Sequence, residues 1–145
     1  MRFLAVFLFL FSTAALAGDV KLVCNVSGKY FDGKKTQEYK FIFNDSEERI
    51  CTGYPCKRSN TYKASETISY VGYGNRENAN TVTTWSKDII ELRNYDGQVT
   101  IRRTLDRTSG TLRHIFEDRD SKIEIDMKGP CKVVRKFENE TERKF

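Results

Sequence analysis

From Val20 onward, apolar and polar residues alternate with a period of two, and no long window repeats with the 3.6 period of a helix. "VKLVCNVS" (Val20–Ser27) predicts a first strand, and "GKYFDGKKTQ" a turn-rich excursion after it. "EYKFIFND" (Glu38–Asp45) sets Tyr39, Phe41 and Phe43 on one face, and "ERICTG" is a short strand running into a loop. "SETISYVGY" (Ser65–Tyr73) and "NTVTTW" (Asn80–Trp85) have the β-branched and aromatic residues that strands favour, with "GNRENA" as the loop between them. From Asp88 the pattern is a meander, "KVVRKF" is a last strand, and "ENETERKF" is a charged tail. Short strands at regular spacing, two prolines and no linker predict an all-β chain. The architecture is a single antiparallel meander barrel or sandwich of about 8–10 strands.

Opposite charges suggest a register for the meander. A two-residue turn at Asp96-Gly97 pairs Leu92 with Ile101, Glu91 with Arg102 and Ile90 with Arg103. A turn centred on Thr108-Ser109 pairs Leu105 with Leu112, Arg103 with His114 and Ile101 with Phe116. A turn centred on Arg119-Asp120 pairs Glu117 with Lys122, Phe116 with Ile123, Arg113 with Asp126 and Leu112 with Met127. One face then collects Ile90, Leu92, Val99, Ile101, Leu105, Leu112, Phe116, Ile123, Ile125 and Met127. The other carries charges that meet across strands, and a slip of one residue would turn an apolar set outward.

Two residues break this pattern. Arg103 and His114 fall on the apolar face, in a row that reads Ile90, Arg103, His114, Ile125. A buried unpaired guanidinium costs several kcal/mol, so Arg103 requires a partner, water or an opening. One reading is an anion site: Arg103 grips a carboxylate or phosphate as a fork and His114 donates beside it, within a lining of Ile101, Phe116 and Ile125. The other is structural: the sheet extends past the core, Arg103 snorkels to its rim and His114 is a satisfied half-buried side chain. In either case Arg103 lowers the pKa of His114, which is uncharged at neutral pH.

The N-terminus adds a compartment. Arg2, the apolar run "FLAVFLFLF" and the small-x-small "ALA" at Ala15–Ala17 form a signal peptide over residues 1–17. The β domain then spans 18–137 and the tail 138–145. Asp19 stands where a lipoprotein signal needs its cysteine, and no later stretch is apolar enough to span a bilayer, so no membrane anchor is expected. The localisation implied is secreted or periplasmic. Without Arg2 the chain has 24 basic and 20 acidic side chains, well mixed, which gives no footprint for nucleic acid.

Four cysteines, all beyond the signal, predict two disulfides in an exported chain. Three pairings exist; the favoured one is Cys51–Cys56, around "TGYP", with Cys24–Cys131 joining the first strand to the last. The spacing is not that of zinc knuckles, so no metal or other cofactor is assigned. Catalytic residues are likewise not assigned. A Ser-His-acid triad would have to use His114 without a nucleophile elbow, and a Cys-His pair would need a free thiol. Tyr54, Tyr62, Tyr70, Tyr73 and Trp85 are candidates for a stacking platform. Asn25, Asn44 and Asn139 begin glycosylation sequons, relevant in a eukaryotic source.

At "LDRTSG" and "GPCKVVRKF" the chain resembles small exported proteins of Gram-negative bacteria that have an Asp-Arg-x-Ser/Thr-Gly hairpin, a following Gly-x-Cys and a Lys-Phe ending. The resemblance covers about the last forty residues, departs beyond Phe137, and implies an exported β-rich fold without functional residues. The lipocalin pattern is absent: no Gly-x-Trp stands near the mature N-terminus, and Trp85 lies mid-chain. The first functional expectation is an exported non-enzymatic binding protein for a small anionic or apolar-acid ligand. The second is a loop-mediated interaction module, such as an inhibitor of a secreted hydrolase, whose partner is another secreted protein.

Overall fold

The computed structural model describes residues 18–64, 67–72, 76–95, 97–120 and 122–138; the expected signal peptide, residues 1–17, and residues 139–145 of the expected tail lie outside them. Ten strands follow one another: β1 (Val20–Tyr30), β2 (Gly33–Asn44), β3 (Arg49–Thr52), β4 (Thr61–Lys63), β5 (Thr67–Gly72), β6 (Arg76–Trp85), β7 (Ile89–Tyr95), β8 (Val99–Asp106), β9 (Thr111–Asp118) and β10 (Ile123–Val134). They form one antiparallel sheet in the order β4-β3-β2-β1-β10-β9-β8-β7-β6-β5. Every neighbour in that order is also a neighbour in sequence except β1 and β10. The chain therefore goes up and down around a nearly closed barrel, with its gap between β4 and β5. Between barrel and sandwich, the two options the pattern left open, the barrel is what forms.

The alternation of side chains sets the interior. Cys24, Val26, Phe41, Phe43, Ile50, Ile90, Leu92, Leu105, Leu112, Ile125 and Met127 make one buried cluster. A smaller cluster lies outside the wall, where Phe137 folds back onto Val23, Ile42 and Cys51. Both expected disulfides are present, Cys24–Cys131 and Cys51–Cys56. The first bridges residues directly opposite each other on β1 and β10, the seam that joins the two ends of the chain. Two glycines let these strands close in. A Cβ on Gly129 would lie 1.8 Å from the Asn25 carbonyl oxygen, and one on Gly28, at φ +150°, would lie 2.3 Å from that of Asp126.

Several expectations change. "GKYFDGKKTQ" is no excursion: β1 and β2 run through it and turn at Phe31-Asp32, with Tyr30 opposite Gly33. The Arg76–Ala79 part of "GNRENA" belongs to β6, and "KVVRKF" does not begin a new strand, because β10 runs unbroken through Pro130. The central meander hairpin has the expected register, with Leu105 opposite Leu112 and Ile101 opposite Phe116.

Its two neighbours are each displaced by two residues. Leu92, not Ile90, faces Arg103, and Ile90 faces Leu105. Met127, not Ile125, faces His114, while Ile125 faces Phe116. Longer turns are the cause, together with an irregularity between Ile123 and Ile125 that leaves Ile123 exposed rather than in the core. A displacement of two keeps every other side chain on its expected face. Arg113 still holds Asp126 in a two-pronged pair at 3.0 and 2.9 Å, now diagonally. Arg102 pairs with Glu117 rather than Glu91, which accepts from the Thr104 hydroxyl instead.

Candidate functional site

Arg103 on β8 and His114 on β9 are direct cross-strand neighbours facing into the barrel. Curvature brings Tyr39 of β2 across the interior to meet both. The Tyr39 hydroxyl is hydrogen-bonded to His114 Nδ1, and the two rings lie edge to face with centroids 5.3 Å apart. The Arg103 guanidinium carbon lies 5.5 Å from the centre of the Tyr39 ring, a cation–π contact. Among the described residues no carboxylate pairs with Arg103, and its Nε is buried without a hydrogen-bond partner.

These three side chains form one wall of a cavity of about 570 Å³. Val99, Ile101, Phe116 and Ile125 supply apolar lining, and Tyr30, Phe31 and Gln37 complete it. All five residues expected at a ligand site, Arg103, His114, Ile101, Phe116 and Ile125, therefore line the same space. Phe31 is exposed on the tight β1–β2 turn at its edge, with its ring 6.0 Å from that of Phe116.

Elsewhere in the barrel, polar contacts tie the turns together. Asp45 accepts from Arg107 Nη2 at 2.6 Å and from Trp85 Nε1 at 3.2 Å, and Phe43 packs against both partners. A smaller space of about 210 Å³ lies there between Leu22, Phe43, Ile90 and Leu105.

Comparison with protein-family models, curated proteins and solved structures gives no match. The chemistry of this cavity is thus read from its own residues.

Burial, and after it the Arg103 charge, lowers the pKa of His114 to about 4. Burial likewise raises that of Tyr39, against the opposing effect of Arg103. His114 is then a neutral imidazole at neutral pH, and the cationic charge of the wall resides on Arg103. Such a site can hold an acid by its charged oxygens while its body lies on apolar side chains.

A stability profile follows. The unfolded chain takes up a proton near pH 6.5 and the folded one near 4, so stability is full above 6.5 and falls as pH drops towards 4. Denaturant titration should show His114→Gln losing about 2–3 kcal/mol less than the wild type between pH 7 and pH 4.5. Parallel pH profiles would contradict this.

The other sequence candidates do not converge. Tyr54 packs on Phe137 outside the barrel, at 5.7 Å between ring centres. Tyr62 and Trp85 pack against the interior cluster, and the side chains of Tyr70 and Tyr73 lie outside the described residues. Asn44 is buried and bonded to Asp19 and Ser46, shaping the β2–β3 turn. Among the described residues no group of His, Cys, Asp and Glu could hold a metal, and no helix is long and apolar enough to cross a membrane.

Tyr39 is the site residue that sequence reasoning missed as a partner. Its place in the apolar alternation of β2 was legible, but its meeting with His114 requires the sheet to curl.

Proposed function

We propose that this is an exported, non-enzymatic binding protein whose barrel holds a small acid with an apolar body. One observation carries the reading: Arg103 has no carboxylate partner within the described fold, and it borders a cavity lined otherwise mainly by apolar and aromatic side chains. A fold that needed only stability would be served at least as well by an apolar residue there, because an unpaired guanidinium is costly to bury. An incoming carboxylate supplies the missing counter-charge. Two disulfides and the N-terminal signal support an oxidising, extracytoplasmic setting.

Calorimetric titration with sodium decanoate tests this. The wild type should bind, Arg103→Ala should lose about 10-fold to 100-fold or more in affinity, and its thermal midpoint should stay within a few degrees of the wild type. A large fall in midpoint, with no acid bound by either protein, would assign Arg103 to structure alone.

A further inference from the structure

We propose that Tyr39 is a positioning residue that fixes His114 as an Nε2–H donor beside Arg103, so that the cavity selects carboxylate heads over neutral ones. This rests on the acid-binding reading and adds the rule by which one head group is chosen.

A phenol can donate or accept, and a neutral imidazole has one donor and one acceptor nitrogen. The Tyr39 hydroxyl has one hydrogen-bond partner in the described structure, His114 Nδ1. If Nδ1 carried the proton, the phenolic proton would have to turn away from His114, with no other acceptor bonded to it among the described residues, and leaving a buried donor unmet costs about 1–3 kcal/mol. With the phenol donating to Nδ1, that proton is satisfied and the imidazole proton is placed on Nε2. A second partner of one ring nitrogen commonly decides the state of the other in this way.

The surroundings hold the arrangement. From β8 the charged group facing His114 is Arg103, and from β2 the titratable group is Tyr39. From β10 the direct neighbour is the uncharged Met127. No carboxylate among the described residues is hydrogen-bonded to the imidazole. Tyr39 is itself held from two sides, by the Arg103 guanidinium over its face and by Phe41 stacked at 6.2 Å. The hydroxyl therefore reaches His114 from a braced ring.

The outcome is a wall of donors, the Arg103 N–H groups and His114 Nε2–H, next to apolar lining. A carboxylate has acceptors only and fits this set. An alcohol or a primary amide brings its own N–H or O–H, for which neither the Arg103 guanidinium nor the His114 Nε2–H is an acceptor, and offers no charge to Arg103. The fitting ligand class is a monocarboxylate with one apolar body, its head at Arg103 and His114 and its body along Ile101 and Phe116.

The test uses the whole mature protein, Tyr39→Phe, and three probes: sodium decanoate, decanol and decanamide. Nitrogen NMR of the ligand-free wild type should show pyridine-type Nδ1 and pyrrole-type Nε2 for His114, and Tyr39→Phe should move both signals towards a mixture. Calorimetry should show decanoate binding weakened about 10-fold by Tyr39→Phe, with decanol and decanamide weak in both proteins. A wild-type Nδ1–H tautomer overturns the positioning role before any ligand is added. Decanoate binding that Tyr39→Phe leaves unchanged overturns this inference while the acid-binding reading stands. Failure of the wild type to bind decanoate overturns both.

Discussion

Replacing Cys24 and Cys131 together by alanine should lower the thermal midpoint by about 15–20 °C. The bridge spans a sequence separation of 107 and joins the two strands that close the chain's circuit. On the chain-entropy model such a loop restricts the unfolded state by about 4–5 kcal/mol. For a domain of this size each kcal/mol corresponds to roughly 3–5 °C of midpoint. The Cys51–Cys56 bridge, with a separation of 5, gives a built-in comparison. The same model gives about 2 kcal/mol for its removal, less than half the effect. Circular dichroism melts of the two double variants should rank accordingly. Equal midpoints would show that the seam is held by its ladder and packing, not by the covalent closure.

Gly129→Ala should be the most damaging single substitution in the barrel wall, destabilising by more than about 4 kcal/mol or preventing folding. The added methyl would meet backbone on every near side: the Asn25 carbonyl oxygen at 1.8 Å, its carbon at 2.8 Å and the Val26 Cα at 2.8 Å. None of these can rotate away as a side-chain tip would, so β1 and β10 must separate. Separation would strain the adjoining Cys24–Cys131 bridge and open the interior at Val26, which is fully buried. Gly33→Ala is the matched control. Its Cβ would find only the Tyr30 carbonyl oxygen, at 4.0 Å, so the change should stay within about 0.5–1 kcal/mol. Denaturant melts that place the two variants together would refute the tight-seam account.

The cavity beside Arg103 and His114 shows how far alternation reaches. Arg103 and His114 break the apolar pattern of β8 and β9, and that break alone marked them before any fold was known. Ile101, Phe116 and Ile125 lie on the same face by parity, and the structure places all five on one cavity. The pairing of individual residues was less legible. Leu92 and Met127 flank the Arg103–His114 pair, where Ile90 and Ile125 were expected. Charge matching tolerates such errors, since Arg113 reaches Asp126 diagonally where a straight pairing was expected. Turn length decides these registers, and the Asp-Gly and Arg-Asp signals specify a turn more surely than its span.

By itself, then, the sequence determined an antiparallel all-β chain, the side of each meander strand that Arg103, His114 and their apolar companions occupy, and four cysteines suited to two bridges. Those follow from local rules: period two sorts side chains between faces wherever the backbone is extended, and a displacement of two leaves the sorting intact. Only the tertiary structure decided that the sheet curls into a barrel, that β1 lies against β10, and that Tyr39 crosses the interior to His114. These depend on twist and closure summed over many strands, and no single segment encodes that sum.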